Sequence, residues 1–309
     1  MMPRNEFGCS IGHWLVIVLL VNVGVGNVFS QEESTAALSL TDQLTVRSIP
    51  PEVVDRFSLS EFYRKCVIVG GMPIVGSEQV NDAAIIEAAF VVRSMLKQRP
   101  DILRQLAANR VRLAVMATNE RTCDIPEHSD LRPAEYWNRR ARGLGATHAR
   151  PCVSCAEENV LNLIGDPYDK ECVLIHEFAH AIHLMALVDL DNGFQKRLDK
   201  CYRNAMSRGL WKGIYAASNS EEYWAEGVQS WFGCNRENDG SHNHVNTRVE
   251  LKEYDPALSD LIQSVFRDSS YRYVRSDSAE RKEIHLQKLD RNSMPRFDWG
   301  PELPKPDKK

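Results

Sequence analysis

The sequence has little net charge of either sign and no internal repeat. Lysine and arginine number 38 against 42 acidic residues, so the formal net charge is only −4 over 309 residues. A nucleic-acid-binding domain usually carries a clustered basic excess, and the balance found here argues against a nucleic-acid partner. Apolar residues make up 43% and charged residues 26% of the chain, as in a globular protein with a sizeable core.

Long apolar runs are also scarce, and the clearest one lies near the N-terminus. An unbroken apolar run extends from Trp14 to Val21 after the basic residue Arg4, and residues 28–30 offer a cleavage site before Gln31. The run is broken at Asn22 and is shorter than the ~20 residues of a membrane-spanning helix. We therefore expect residues 1–30 to be a secretory signal peptide, with an uncleaved N-terminal anchor as the alternative. The mature protein is expected to be exported, with no later segment crossing a membrane.

A second C-x-x-C motif is missing. Cys152-x-x-Cys155 can indicate zinc or redox chemistry, but in an exported chain a single such motif favours disulfide bonds. Of the eight cysteines, one would leave with the signal peptide and seven would remain. This odd number predicts three disulfides and one free thiol. We expect Cys66 to be the unpaired residue and Cys201 to pair with Cys234.

The middle of the chain alternates between strand and helix patterns. Residues 66–75 and 111–117 have strand character, with a Gly-Gly turn inside the first segment. Apolar spacing predicts helices at 83–96, shortly after residue 100, and at 194–207, 220–232 and 256–266. Residues 118–165 are rich in loop residues with one extended edge strand, and residues 271–274 are predicted to form a short strand.

These patterns predict an α+β fold with a small mixed sheet and a helical half. We expect one main domain at residues 63–298. It would follow a loosely held lead-in at 31–62 and precede a disordered, proline-containing tail at 299–309.

An H-E-x-x-H motif lies within residues 171–183. His176 and His180 are four residues apart, so on a helix they share one face, with Glu177 beside them. Zinc accepts imidazole and carboxylate ligands and lowers the pKa of a bound water to about 7. The apolar residues around the motif predict a buried helix, which is the context that this site requires. A core helix with two hydrogen-bonded histidines is the alternative.

A catalytic zinc ion needs a third protein ligand from elsewhere in the chain. The predicted helix at 220–232 carries Glu222 and Glu226 among aromatic residues, so neither carboxylate would easily reach water. Burying a carboxylate is costly unless it is paired or bound to a metal. We expect Glu222 to be the third ligand and Glu226 to accept the second ring N–H of a ligating histidine. The alternative is a solvated acidic edge.

His183 does not fit as the third ligand. It lies seven residues after His176, a rise of about 10.5 Å along a helix, whereas zinc–nitrogen bonds measure about 2.1 Å. The metzincin continuation of the motif is also absent, because residues 184–190 supply neither its glycine nor its histidine. We expect His183 to lie in the core or to line the cleft.

The H-E-F-A-H motif, followed by Asn219-x-x-Glu222-Tyr-Trp-Ala-Glu226, resembles the gluzincin metallopeptidases. Within that group it looks most like the catalytic domain of the lethal factor toxin family, although nothing like the toxin's large binding domains is present. The resemblance covers roughly 60 residues and extends more weakly to the strand–helix–strand segment before them. It implies a zincin-like metallopeptidase fold, a Zn²⁺ cofactor and a peptide or protein substrate.

The same resemblance implies roles for individual residues. Glu177 would be the general base beside a zinc ion held by His176, His180 and Glu222. In that family a tyrosine seven residues before the ligand glutamate stabilises the oxyanion, and Tyr215 has this spacing.

Three alternatives remain open at the level of sequence. His242 or His244 would take the oxyanion role, because other gluzincins use a downstream histidine. A non-catalytic, zinc-bearing binding protein could use the same fold. A structural zinc site could recruit a fourth ligand such as Cys172.

Overall fold

The structure is a computed structural model that describes residues 44–300. The predicted signal peptide at 1–30, the first part of the lead-in and most of the predicted tail lie outside these residues. The described residues all belong to one compact unit. They form a mixed α+β fold, which confirms the fold class at that level.

A six-stranded mixed sheet with the order β1-β2-β3-β4-β6-β5 runs through the described part of the chain. Its strands are β1 (Arg47–Ser48), β2 (Lys65–Val69), β3 (Met72–Gly76), β4 (Arg112–Met116), β5 (Gly143–Leu144) and β6 (Cys152–Ala156). β2 and β3 form an antiparallel hairpin, β4 and β6 continue the sheet in parallel, and β5 lies antiparallel at the edge. The hairpin turn is Gly70-Gly71, where both residues have positive φ angles of 56° and 87°. Glycine adopts such angles without a steric penalty, so the Gly-Gly pair fixes this turn.

Helices cover the sheet and build the second half of the molecule. In the described residues they are α1 (Pro51–Phe57), α2 (Asp82–Met95), α3 (Pro100–Ala108), α4 (Ala134–Arg140), α5 (Glu157–Val160), α6 (Val173–Ile182), α7 (Val188–Leu190), α8 (Phe194–Ser207), α9 (Ser220–Phe232), α10 (Arg248–Tyr254), α11 (Pro256–Phe266) and α12 (Ile284–Gln287). A π-helical turn at His183–Leu187 joins α6 to α7. The helices predicted at 194–207, 220–232 and 256–266 have the observed bounds of α8, α9 and α11.

Two predictions about local structure are wrong. Residues 271–274 form no strand, because the backbone N–H of Tyr273 donates to the carbonyl of Phe232 at the end of α9 (2.8 Å) rather than to a neighbouring strand. The described part of the lead-in, residues 44–62, is not loosely held. It contains β1 and α1, and it buries Phe57 and Leu59 in the core.

The continuous helical stretch Val173–Leu190 is the central element of the fold. By length and composition alone it is apolar enough to cross a membrane, but 67% of it is buried inside the protein. A core helix of a soluble protein has the same properties. This stretch contains the complete H-E-x-x-H motif.

The seven cysteines between residues 44 and 300 are free thiols in this structure. Cys66 is buried on β2, with its thiol 3.9 Å from the carbonyl oxygen of Ser48. The predicted partners Cys201 and Cys234 have different neighbours. The thiol of Cys201 lies 3.7 Å from the carbonyl oxygen of Ala257, whereas Cys234 contacts Cys172. The structure therefore gives no support to pairing Cys201 with Cys234.

The C-x-x-C cysteines point to opposite sides of β6. Residues three apart on a strand face opposite ways, and the neighbours agree with this. Cys152 lies near Tyr63 and Glu127, whereas Cys155 lies near Cys172. The two thiols are therefore not arranged to bind one metal ion or to react with each other.

Candidate metal centre

Three predicted ligands meet at one point between α6 and α9. The Nε2 atoms of His176 and His180 are 3.2 Å apart, and Oε2 of Glu222 lies 3.1 Å and 3.3 Å from them. Ligand atoms about 2.1 Å from a tetrahedral zinc ion lie about 3.4 Å from one another. The donor set and its spacing therefore fit zinc. Among the described residues this is the group of His, Cys, Asp and Glu side chains with the spacing of a metal site.

Helix α9 is held so that Glu222 faces the histidines. Its N-cap residue, Asn219, accepts a hydrogen bond from the backbone N–H of Glu222 at 2.8 Å, which fixes the first turn. The indole of the buried residue Trp224 donates to the carbonyl of Ala179 in α6 at 2.9 Å. These two contacts fix the position of α9 along α6 and its distance from α6. They thereby fix the position of the Glu222 carboxylate.

The partner of the second ring nitrogen of His176 differs from the prediction. Its Nδ1 lies 2.8 Å from Oε1 of Gln229 but 3.6 Å from Oε1 of Glu226, which is beyond normal hydrogen-bond range. Gln229 is fully buried, and its Nε2 contacts the carbonyl of Cys172 at 3.3 Å. The amide nitrogen is therefore engaged, and the amide oxygen faces the imidazole.

Gln229 was not among the residues predicted from sequence, because a carboxylate was expected to accept the second ring N–H of the histidine. The residue lies seven positions after Glu222, which returns it to nearly the same face of the helix two turns later. An amide side chain among apolar residues on the face of Glu222 is the sequence feature that could have identified Gln229 as a hydrogen-bond partner of the histidine.

Glu226 lies behind the ligand group and is only 3% exposed. Its Oε2 accepts a hydrogen bond from Nδ2 of Asn235 at 2.9 Å and lies 3.5 Å from Nε2 of His242. The other nitrogen of His242 is 2.8 Å from Oδ1 of Asp239. Burial opposes the charged form of His242, but Glu226 and Asp239 raise its pKa above the usual range. Glu226 therefore connects the ligand group to an Asp–His pair.

Glu177 and Tyr215 face the same cavity as the ligand group. Burial raises the pKa of the Glu177 carboxyl, and the neighbouring imidazoles of His176 and His180 oppose that rise. The ring of Tyr215 stacks on His176 with centroids 6.3 Å apart, and its hydroxyl lies close enough to Glu222 for that carboxylate to affect its pKa. Burial and the Glu222 charge raise the pKa of Tyr215, so its hydroxyl stays protonated and can donate.

The electrostatics of the group favour a cation. Burial alone would lower the pKa of His176, but its hydrogen bond to Glu222 and the charges of Glu177 and Glu226 raise it to about 10. At Glu222, burial would raise the pKa, but the hydrogen bonds from His176 and His180 outweigh this effect and depress the pKa well below the usual range. Three carboxylates around two imidazoles thus hold a proton strongly, and a bound divalent cation would replace it.

A cavity of about 470 Å³ opens onto these residues. One wall is the β5 segment, which lies directly against α6. A Cβ on Gly143 would come within 2.6 Å of Val173, and a Cβ on Gly145 within 2.8 Å of the Cβ of His180. Both contacts are far shorter than van der Waals distance, so glycine allows this close approach. The two glycines therefore bring the sheet edge up to the H-E-x-x-H helix.

The remaining sequence candidates lie outside the ligand group. His183 is fully buried, with Nε2 2.6 Å from Oε1 of Gln195, as expected of a core residue. The ring of His244 packs against Tyr254 at 5.5 Å. Cys172 is 1% exposed and contacts Cys234 rather than the three ligands.

Comparison of the chain with models of known protein families finds no match, and comparison with curated protein sequences finds none either.

Proposed function

We propose that this chain is an exported, zincin-like zinc metallopeptidase of the gluzincin type. The observation that carries the proposal is the meeting of His176, His180 and Glu222 at ligand spacing, beside a cavity that also contains Glu177 and Tyr215. Export rests on the N-terminal sequence alone.

The chemistry divides between the metal and the side chains around it. Zinc bound there would act as a Lewis acid on the scissile carbonyl and lower the pKa of a water molecule to about 7. Glu177, held in the cavity next to both histidines, would take a proton from that water and pass it to the leaving amine. Its raised pKa suits this exchange, because a base that also returns the proton works best near the operating pH.

Tyr215 would stabilise the oxyanion that forms when the carbonyl is attacked. Its hydroxyl is protonated and lies near Glu222, and it could donate to a substrate oxygen that enters the cavity. A donor of this kind contributes about 3 kcal/mol where it has been measured. His242 lines the same cavity and is the second candidate donor.

The sheet edge supplies a place for an extended peptide. β5 is the last strand of the sheet order and borders the cavity. An extended peptide can pair with such an edge through main-chain hydrogen bonds, which suits many sequences and leaves selection to side-chain pockets. This arrangement favours a peptide or protein substrate.

The test compares zinc-loaded wild-type protein with Glu177→Gln on a broad peptide library. The variant should keep its zinc and its fold but lose 10²–10⁴-fold or more in cleavage rate, because it lacks the proton acceptor. Metal content should fall in Glu222→Gln and persist in Glu221→Gln, whose side chain is exposed one position away. A zinc-loaded wild type that cleaves no peptide would favour the non-catalytic binding protein instead, whereas an equally active Glu177→Gln would contradict the role of Glu177 as general base.

A further inference from the structure

Two cysteines meet where the ligand-bearing helices come together. Cys172 is the N-cap residue of α6, and Cys234 follows Gly233, which ends α9 in a left-handed conformation (φ 76°). The backbone N–H of Cys172 donates to the carbonyl of Cys234 at 3.2 Å. The Cys234 thiol lies 3.5 Å from the carbonyl oxygen of Gln229 and close enough to Cys172 for that residue to raise its pKa. The structure thus holds together two thiols that are 62 positions apart in sequence.

We propose that Cys172 and Cys234 form a disulfide bond in the exported protein, joining the start of α6 to the end of α9. The sequence-based pairing of Cys201 with Cys234 is replaced by this one. The observation that carries the proposal is the backbone hydrogen bond between Cys172 and Cys234, which brings the two residues as close together as a disulfide requires.

The bond would form by thiol–disulfide exchange with a small-molecule disulfide such as oxidised glutathione. One protein thiolate attacks the reagent, giving a mixed disulfide and releasing one small thiol. The second protein thiolate then attacks the mixed disulfide and releases the other small thiol. Two protein thiols are oxidised, the reagent is reduced to two thiols, and the two protein protons pass to the released thiolates.

Burial sets when this exchange takes place. Cys172 and Cys234 are 1% and 5% exposed. Burial also raises the pKa of the Cys234 thiol, which suppresses the reactive thiolate in the folded chain. The bond therefore forms during folding, and once formed it is shielded from reductants.

A third thiol lies nearby and must be distinguished from the pair. Cys155 on β6 is fully buried and close enough to Cys172 for its pKa to be affected. It lies on the sheet, however, whereas Cys234 shares a backbone hydrogen bond with Cys172. The pairing of Cys172 with Cys234 therefore needs the least movement of the backbone.

The cross-link would also stiffen the proposed metal site, and this consequence rests on the proposed function. The backbone N–H of Cys234 donates to the carbonyl of Gln229 at 3.0 Å, and the side chain of Gln229 contacts both the Cys172 carbonyl and His176. A covalent bond between the two cysteines would hold this amide, and through it the imidazole, in place.

The first experiment maps the bond directly. The full chain is folded with a mixture of reduced and oxidised glutathione, denatured without reductant, alkylated and digested. Mass spectrometry should find the Cys172 and Cys234 peptides joined and the Cys201 peptide alkylated. Alkylation of both Cys172 and Cys234, or pairing of either one with Cys155 or Cys201, overturns the proposal. This result does not depend on metal or on activity.

The second experiment tests the consequence for the site. Metal-free wild type that is folded in the presence of reductant should have a Tm about 10 °C below that of the glutathione-oxidised protein, whereas the Tm of Cys172→Ser/Cys234→Ser should be the same after either treatment. Zinc affinity, measured against a competing chelator, should fall about 10-fold in this double variant and stay unchanged in Cys201→Ser. A mapped disulfide with unchanged zinc affinity would retain the bond and overturn its effect on the site.

Discussion

Gln229 determines which nitrogen of His176 faces the ligand group. Its amide nitrogen contacts the carbonyl of Cys172, so its oxygen accepts the Nδ1–H of the imidazole at 2.8 Å. With Nδ1 protonated, the lone pair of the neutral ring lies on Nε2, which faces Glu222 and His180. A neutral amide can therefore do what a carboxylate often does behind a metal-binding histidine.

This arrangement predicts unequal effects of two neighbouring substitutions. Gln229→Leu removes the close acceptor and should weaken zinc binding by about 10–100-fold. Glu226→Gln should weaken it less, because Glu226 lies 3.6 Å from the same nitrogen. Chelator competition at one fixed pH measures both. A larger loss in Glu226→Gln would mean that the partner of Nδ1 changes when metal binds.

A second residue-scale prediction concerns His128, which does not line the cavity. It is 1% exposed, with Nε2 3.0 Å from Oγ of Ser154 on β6. Burial lowers its pKa from 6.5 to about 4. The unfolded chain therefore binds this proton first as the pH falls. The stabilisation is fully present above about pH 6.5 and is lost as the pH falls towards 4.

Urea unfolding between pH 7 and pH 4 measures this loss, which should reach about 3 kcal/mol for a shift of this size. His128→Gln cannot be protonated and should flatten that part of the pH dependence. His148→Gln, at an exposed position, should keep the wild-type slope. If the free energies of unfolding of wild type and His128→Gln had the same pH dependence, the pKa of His128 would be the same in the folded and unfolded states.

At the scale of elements, the close approach of α9 to α11 depends on one small residue. Gly227 lies in the middle of α9, and a Cβ there would come within 2.6 Å of Cδ2 of Leu258. Alanine normally favours a helix over glycine by about 1 kcal/mol. Here the steric cost of overpacking, about 1–3 kcal/mol, opposes that gain.

Gly227→Ala should therefore lower the free energy of unfolding by up to about 2 kcal/mol. Because α9 also carries Glu222, zinc affinity should fall with it. Gly240→Ala is the matched control, since a Cβ there meets nothing within 4 Å. Urea denaturation of the metal-free proteins decides the matter, and a Gly227→Ala variant more stable than wild type would mean that Leu258 moves aside freely.

The elements that sequence predicted best are those with local start and stop residues. Pro256 begins α11, and Asn219 and Gly233 bound α9. The strand predicted at 271–274 failed because strand formation needs a neighbour, and the backbone there bonds to the end of a helix instead. The contact of Gly145 with His180 could not be predicted from sequence either, because it joins segments 35 positions apart. Long-range pairing of this kind is not encoded in local periodicity.

In the ligand group, too, local features could be predicted from sequence and long-range contacts could not. Helical spacing brought His176 and His180 together, and an unusual buried carboxylate identified Glu222. The histidine's outer partner depended on how α9 sits against α6, which Trp224 and Asn219 fix through tertiary contacts. Sequence therefore predicted which side chains come together at the spacing of a metal site, and the structure was needed to place the residues that hold them.

At the scale of the whole molecule, the ligand group lies between two parts of one compact unit, each with its own packing. α6 packs against the sheet edge through Gly143 and Gly145, whereas α9 packs against α11 through Gly227. A cation shared by His176 and Glu222 would tie these parts together. The unfolded chain offers no such preformed group, so binding there adds to the free energy of folding.

Zinc should therefore raise the Tm of the intact chain. At free zinc 1,000 times its dissociation constant the gain is about 4 kcal/mol, which corresponds to roughly 10 °C for a protein of this size. Glu222→Gln should lose most of this increase, and Glu221→Gln, altered at an exposed neighbouring position, should retain it. Differential scanning calorimetry of protein stripped with a chelator and then titrated with zinc measures the shift. An equal rise in Glu222→Gln would place the stabilising ion elsewhere, because the carboxylate joining α9 to the α6 histidines would then be dispensable.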